Sequence, residues 1–256
     1  YDAGVSVTTG AFNTLIGGLV GDALTGGGRH TLMGYASGSA LIDSERNVAI
    51  GYGSLENDTK GTKSTAIGYS ALNTQNFSTA TDSFNTAVGY TAGESVTTGN
   101  NNTIIGAVAG DALTTGVQNV AVGAHALSTD TKGNTSVAIG RSALENQNFT
   151  TDVDANNTAV GRHAGLSVTT GVGNSIVGAK AGDALTDADF NTAVGFLALS
   201  GDTLGSKSTA LGTFALEAQN FTTATDSFNT AVGHNAGALV TTGIKNTIVG
   251  GLAGDA

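Results

Sequence analysis

One pattern of small, polar and apolar residues is repeated along the whole chain. Phrases of the type NTAVG end on a glycine at fourteen positions, and an apolar residue precedes each of these anchor glycines. Successive anchors are 17, 17, 17 and then 21 residues apart, which makes a larger unit of 72 residues. The anchors are Gly17, Gly34, Gly51, Gly68, Gly89, Gly106, Gly123, Gly140, Gly161, Gly178, Gly195, Gly212, Gly233 and Gly250. So short a repeat cannot enclose a core alone and must stack on its own copies.

The residues around each anchor predict a short strand followed by turns. The segment NTAV favours extended backbone with Thr and Val on one face and Asn and Ala on the other, because side chains alternate along a strand. A second extended piece is expected near ESVTT or DALTT, and the anchors with a second glycine ten residues later supply the turns. Coils stacked in parallel about 4.8 Å apart predict an all-β fold, a parallel β-solenoid or β-roll of about 14 coils.

Stacking places equivalent residues above one another in columns. The Val and Ile column predicts a thin apolar seam, and the Asn column predicts amide ladders along the axis. The Ala column, with Ile at positions 104, 176 and 248, predicts a flat outer ribbon that packs against another copy, with a homotrimer as the expected assembly. In three consecutive coils the predicted ladder residues are Asn85, Asn102, Asn119, Val88, Ile105, Val122, Gly89, Gly106 and Gly123.

The repeat predicts a single repetitive domain over residues 1–256, in which residues 30–46 form one extra, diverged coil. The chain opens and closes inside a repeat, and uncovered strand edges invite further pairing. We therefore expect either more chain at each end or copies stacked end to end into a filament. The start at Tyr1, without Met or a signal peptide, indicates a processed product or an excerpt.

Composition narrows the function classes. Charged residues are only 12% of the chain, and the net charge of −10 with ten basic residues argues against nucleic-acid binding, which needs clustered Lys and Arg. No run of about 18 apolar residues is present, so membrane insertion is not expected. Cys is absent, which removes disulfides and thiolate chemistry.

Catalytic and cofactor motifs are absent from the sequence, so we expect neither an enzyme nor a bound cofactor or metal. His30, His125, His163 and His234 are scattered through the repeats and are interpreted as exposed or turn residues. His125 and His163 share one column but lie two coils apart, about 10 Å by strand spacing, which is too far to share a metal.

The 21-residue coils contain the one recurring addition, an insert that places Phe after Asn. We interpret this Phe as filling a gap in the core or packing against a neighbouring protomer, with a regularly spaced contact point as the alternative. The pairs are Asn76 and Phe77, Asn148 and Phe149, and Asn220 and Phe221. The same Asn residues begin NFS or NFT glycosylation sequons. Cation binding is a further alternative for the insert carboxylates Asp82, Asp154 and Asp226.

The phrase NTAVGYTAG, followed by TTGNNNTIIG, resembles the tandem repeats of phage tail-fibre-like proteins. More distantly, the chain is similar to the head repeats of YadA-type trimeric adhesins, in which SVAIG, here Ser136 to Gly140, recurs. The adhesin coils are usually shorter than 17 residues. The resemblance covers essentially the whole chain and implies a left-handed parallel β-roll, trimeric assembly, and a role as a stalk or adhesive fibre outside the cell or on a virion.

Three functions remain open at this level. The first is a structural fibre that forms the shaft of a phage tail fibre or extracellular appendage. The second is an adhesin that binds a cell-surface receptor or glycan through the inserts. The third, more remote, is ice binding on a flat Thr-bearing face; because Val48, Val120 and Val137 interrupt its Thr column, we expect no thermal hysteresis.

Overall fold

The computed structural model describes residues 2–255, and in that range the chain consists of strands, turns and bends with no helix. Each of the fourteen main strands is three residues long and ends directly before an anchor glycine. The main strands up to residue 124 are β1 (Thr14–Ile16), β2 (Thr31–Met33), β3 (Val48–Ile50), β5 (Thr65–Ile67), β7 (Thr86–Val88), β8 (Thr103–Ile105) and β9 (Val120–Val122). From residue 125 onward they are β11 (Val137–Ile139), β13 (Thr158–Val160), β14 (Ser175–Val177), β15 (Thr192–Val194), β17 (Thr209–Leu211), β19 (Thr230–Val232) and β20 (Thr247–Val249).

The chain divides into two compact units, one up to residue 124 and one from residue 125. Within each unit, main strands pair in parallel with the next coil, and equivalent residues face each other. Strand β7 pairs with β8 in this way, so that Ala87 lies opposite Ile104 and Val88 opposite Ile105. The predicted parallel β-solenoid of about 14 coils is therefore confirmed, seven coils in each unit. The single domain, the left-handed sense and the trimer stay predictions.

The predicted alternation along the strand is confirmed, but the predicted roles of its two faces were wrong. Ala87 and Ile104 are fully buried, whereas Val88 is partly exposed and Ile105 is 38% exposed. The Ala column therefore faces the interior of each coil, and the Val and Ile column faces outward. Leu72, Leu113 and Leu127 are fully buried as well, and the small Ala side chain leaves volume in the interior for such residues.

Those Leu side chains form the main apolar column, which takes two alternative forms. In some coils the fourth residue after the anchor is Gly and the seventh is Leu or Val, as in Gly93 and Val96; in others the fourth is Leu and the seventh is Asp or Gln, as in Leu72 and Gln75. A Cβ on Gly93 would lie 3.1 Å from Leu72 Cδ2 and 2.9 Å from Ile104 Cδ1. The Gly coil therefore makes space for the apolar side chains of its neighbours.

The expected second strand near ESVTT and DALTT was wrong, because residues 94–98 and 111–115 lie in turns and bends. Left-handed conformations at Thr91 (φ 50°) and Gly93 (φ 60°) coil the backbone just before this segment. Short second strands occur instead beside the inserts, in three parallel pairs. These are β4 (Gly61–Thr62) with β6 (Thr81–Asp82), β10 (Gly133–Asn134) with β12 (Val153–Asp154), and β16 (Gly205–Ser206) with β18 (Thr225–Asp226).

The anchor glycines supply turns as predicted, but the same prediction was wrong for the second glycine column, whose members Gly61, Gly133 and Gly205 begin short strands. Gly89, Gly106 and Gly123 have φ of +147°, +136° and +135°. Residues other than glycine rarely adopt this backbone conformation. Gly99, from the second column, has no positive φ but approaches the next coil so closely that a Cβ would lie 2.4 Å from Gly116 O.

Candidate functional site

The outward surface of the main strands is a regular face made from the first and third residues of each strand. We call it the outer strand face. Its first residue is Thr, Val or Ser, and its third is Ile, Met, Val or Leu. Exposure of the third residue is 39% for Met33, 38% for Ile139 and 37% for Val194. Each unit therefore presents an unbroken aliphatic row, seven residues long, beside a polar row of β-hydroxyl side chains and occasional Val.

An exposed aliphatic row of this kind differs from scattered surface hydrophobics. Single exposed apolar residues are normal on soluble proteins, whereas contiguous apolar patches mark interaction surfaces. Along β7, β8 and β9 the third residues are Val88, Ile105 and Val122, all of them only partly covered. The predicted ladder residues of this column thus belong to a candidate interaction surface and not to the core.

The Asn residues stack in a column as predicted, but most of their hydrogen bonds go to backbone groups and not to one another. Asn85, Asn102 and Asn119 are all buried. Asn85 Oδ1 accepts a bond of 2.9 Å from the backbone N–H of Asn102, and Asn85 Nδ2 donates to Gly99 O at 2.8 Å. Each Asn side chain therefore closes its own coil and holds the next coil through its backbone; direct amide-to-amide bonds, such as Asn174 Nδ2 to Asn157 Oδ1 at 3.2 Å, occur in addition.

The insert phenylalanines lie in the interior. Phe77, Phe149 and Phe221 are each only 6% exposed. A Cβ on Gly133 would lie 2.9 Å from Phe149 Cδ2, so the glycine of the second column provides the space that the ring occupies. The core-filling interpretation is confirmed for this chain.

The exposed part of each insert lies on either side of its phenylalanine. Asn76, Asn148 and Asn220 are exposed, as are residues 78–80, 150–152 and 222–224. Thr59 Oγ1 donates to Asn76 Oδ1 at 3.0 Å, which holds the sequon amide against the preceding coil. Any contact made by the inserts would therefore use these polar residues, and glycosylation of the Asn residues stays a prediction.

A buried carboxylate anchors each insert, and sequence reasoning missed it. Asp58 Oδ1 accepts the backbone N–H of Gly61 at 2.9 Å and of Phe77 at 3.2 Å, and Gln75 Nε2 donates to Asp58 Oδ2 at 2.6 Å. Gln75 Oε1 in turn accepts from Asn85 Nδ2 at 2.8 Å, which joins the carboxylate to the Asn column. Asp130 with Gln147 and Asp202 with Gln219 repeat the arrangement, each at 2.6 Å.

A signal for these residues was present in the spacing. Asp58, Asp130 and Asp202 each stand seven residues after an anchor, in the column that holds Leu or Val in other coils. A polar residue in a core column, always accompanied by Leu three residues earlier, indicates a buried polar group with fixed partners.

Burial without a cationic partner makes Asp58 and Asp130 sensitive to pH. Burial raises the pKa of both carboxyl groups above the usual 3.8, and hydrogen bonds from Gln75 and Gln147 offset part of that rise. Because the pKa is higher in the folded than in the unfolded state, the protonated carboxyl group contributes to the free energy of unfolding. This contribution is fully present below pH 3.8 and is lost as the pH rises through the folded-state pKa. We therefore expect the midpoint of urea unfolding to be higher at about pH 4 than at about pH 7.

The double variant Asp58→Asn with Asp130→Asn isolates this effect. It should show a flatter pH dependence than the parent chain, since general charge effects are common to both proteins and cancel in the difference. Identical slopes in the two proteins would contradict the assignment.

The exposed insert carboxylates have partners of their own. Lys63 pairs with Asp82, and this hydrogen bond lowers the pKa of Asp82. Lys207 Nζ lies 2.5 Å from Asp226 Oδ2, and Asn134 Nδ2 donates to Asp154 at 3.3 Å. Two of the three positions considered for a cation are thus occupied by an ammonium group. Within residues 2–255, no group of three or more His, Cys, Asp or Glu side chains could hold a metal ion.

Of the four histidines, His30 departs from the prediction of an exposed or turn residue. It is 1% exposed and replaces Asn in the Asn column, where Nδ1 accepts from Asn47 N at 3.2 Å and Nε2 lies 2.9 Å from Ser44 O. Burial lowers its pKa, which keeps the ring neutral in this position. His125 and His234 are exposed and His163 is partly exposed, as expected for surface turns.

Residues 2–255 enclose no pocket, and they contain no helix long and apolar enough to cross a membrane. The candidate functional surfaces described above are the outer strand face and the exposed parts of the inserts. No family model, no curated protein and no solved structure matches the chain.

Proposed function

We propose that the chain is a structural, fibre-forming repeat protein that acts as the shaft of a phage tail fibre or of another extracellular appendage. The observation that carries the proposal is the unbroken aliphatic row of the outer strand face in each unit. Removing such an apolar row from water is favourable. A second copy of the same row matches it in length and in the spacing of its residues.

Self-association through this face fits the geometry of the repeat. Strands of parallel copies share a spacing of about 4.8 Å, so Val88 and Ile105 of one copy meet equivalent residues of another at every coil. Burial of apolar surface is worth about 25 cal/mol per Å², and a row that continues from coil to coil adds this contribution each time. A homotrimer with the outer strand faces turned toward one another is the assembly we propose, located outside the cell or on a virion.

Lysine substitutions in the aliphatic row test this proposal. The variant Ile50→Lys, Ile67→Lys and Val88→Lys should remain folded, because these side chains point outward, and should lose association by about 100-fold or more through like-charge repulsion. Sedimentation equilibrium measures the association, and circular dichroism checks the fold.

A matched control places three lysines at the exposed insert residues 78–80. This control should associate as the parent chain does. A parent chain that sediments as a compact monomer, or a lysine row that leaves the assembly intact, would refute the proposal.

A second candidate is a receptor- or glycan-binding adhesin, favoured by the recurrence of three consecutive exposed residues in every insert. The exposed segments 78–80, 150–152 and 222–224 recur every 72 residues in the sequence. Within the unit from residue 125 onward, segments 150–152 and 222–224 are four coils apart, about 19 Å by strand spacing. Replacing all three segments with Gly-Ser-Gly should abolish binding to host cells or arrayed glycans and leave sedimentation unchanged. Binding that persists would exclude the inserts as the contact. Ice binding has no separate support, and the expected absence of thermal hysteresis stays a prediction.

A further inference from the structure

Four tyrosines in consecutive coils form a stacked ladder on the surface of the unit up to residue 124. The ring centroids of Tyr35 and Tyr52 are 5.4 Å apart, those of Tyr52 and Tyr69 are 5.2 Å apart, and those of Tyr69 and Tyr90 are 5.4 Å apart. Interplanar angles are only 8° to 15°. The side chains are nevertheless open to solvent, with exposures between 47% and 57%.

The ladder follows directly from the repeat. Each tyrosine comes immediately after an anchor glycine, and the parallel register repeats this position in every coil. The insert does not interrupt the stack, since Tyr69 and Tyr90 are 21 residues apart in sequence and still only 5.4 Å apart in space. The rigid backbone ladder therefore holds four phenols in a fixed column.

Stacking decides what these rings can do. Each inner ring is covered on both faces by its neighbours, which leaves little face for stacking on a sugar. The edges of the rings, in contrast, stay exposed to solvent, where an oxidising enzyme can reach them. Close, nearly parallel phenols at fixed spacing are suited to coupling with each other, because proximity converts a bimolecular step into an intramolecular one.

We propose that this ladder is an oxidative modification site at which successive coils become joined by dityrosine bonds. The oxidant is hydrogen peroxide acting through a peroxidase. One electron and one proton leave each of two neighbouring phenols, and peroxide is reduced to two molecules of water. The two ring radicals then form a carbon–carbon bond between their ortho positions, and the ortho hydrogens move to the oxygens, which restores both phenols.

The bond would serve the chain as a covalent staple. The sequence contains no Cys, so disulfides cannot link its coils. A bond between Tyr52 and Tyr69 closes a 17-residue loop, and a crosslink that closes a loop lowers the entropy of the unfolded chain. Oxidised protein should therefore unfold at higher temperature than the untreated protein.

The test treats the full chain with peroxidase and limiting peroxide, followed by proteolysis and mass spectrometry. We expect crosslinked peptides that join neighbouring ladder tyrosines, at a yield about ten-fold or more above that of the urea-unfolded chain, within molecules that run as single chains on denaturing gels. The variant Tyr52→Phe with Tyr90→Phe keeps four stacked rings and leaves no two phenols adjacent, so it should lose the intrachain product.

Each opposite result overturns the proposal. Equal yields of crosslinked peptides from folded and unfolded chains would show that the ladder does not promote coupling. An unchanged intrachain yield in the double Phe variant would show the same. Product found only between separate chains would show that the stacked rings do not couple. The test reads intrachain bonds, so its outcome is independent of whether the chain assembles into a fibre.

Discussion

Replacing Gly89 with alanine should destabilise the unit up to residue 124 by about 3 kcal/mol or more. Gly89 has a φ of +147°, and a Cβ at this position would lie 2.3 Å from Gly106 O and 2.6 Å from Gly106 C. The backbone conformation alone costs about 1–3 kcal/mol for a residue with a side chain. The overlap is with backbone, which cannot move without displacing the next coil. The midpoint of urea unfolding measures the loss.

The matched control is Gly251→Ala in the last coil. Gly251 has no positive φ, and the nearest atom to its Cβ would be His234 O at 3.9 Å, an ordinary contact. This substitution should change the free energy of unfolding by less than about 0.5 kcal/mol. Similar losses at both glycines would mean that the close approach between anchor glycines does not limit stability.

The same close approach explains why periodicity alone predicted the stack so well. Anchor glycines recur because the coil ends where the backbone of the next coil touches it, and each anchor preserves that contact. A strict spacing of 17 or 21 residues is therefore direct evidence of equivalent residues stacked above one another. The fold class, the positions of the main strands and the turns at the anchor glycines followed from it, whereas the second strands did not.

Which strand face is buried could not be predicted from hydrophobicity. Val88 is more apolar than Ala87, so the pattern favoured Val in the core, yet Ala87 is the buried residue. We attribute this to side-chain volume, because the interior also holds the fully buried side chains of Leu72 and Val96. The alternation predicts two faces, and hydrophobicity alone does not say which of them points inward.

Buried polar residues were missed for a related reason. Asp58 and Gln75 are residue types usually found at the surface. Their partners are the backbone N–H groups of Gly61 and Phe77 and side chains that lie in other coils or far along the chain, and a sequence does not display these pairings. The Asn column was recognised because Asn recurs in nearly every coil, whereas the carboxylate occurs only once in 72 residues. His30 was misplaced because its role depends on its column and not on its residue type.

Replacing Asn85 with alanine should destabilise the same unit by about 4 kcal/mol, because its amide serves three buried partners. Asn85 Nδ2 donates to Gly99 O and to Gln75 Oε1, both at 2.8 Å, and Oδ1 accepts the N–H of Asn102 at 2.9 Å. Alanine leaves these three groups without a partner inside the coil. Each orphaned group costs about 1–3 kcal/mol, and the measurement is the free energy of unfolding in urea.

The control for this loss is Asn101→Gly, which removes an exposed amide from a neighbouring turn. Asn101 has a φ of +57°, which glycine adopts without strain, and its side chain bonds only to the adjacent Asn100. A change within about 0.5 kcal/mol is expected. If Asn85→Ala cost no more than this control, the Asn column would be a consequence of stacking and not one of its causes. A large difference instead identifies the column as what holds each coil closed while its neighbours stack upon it.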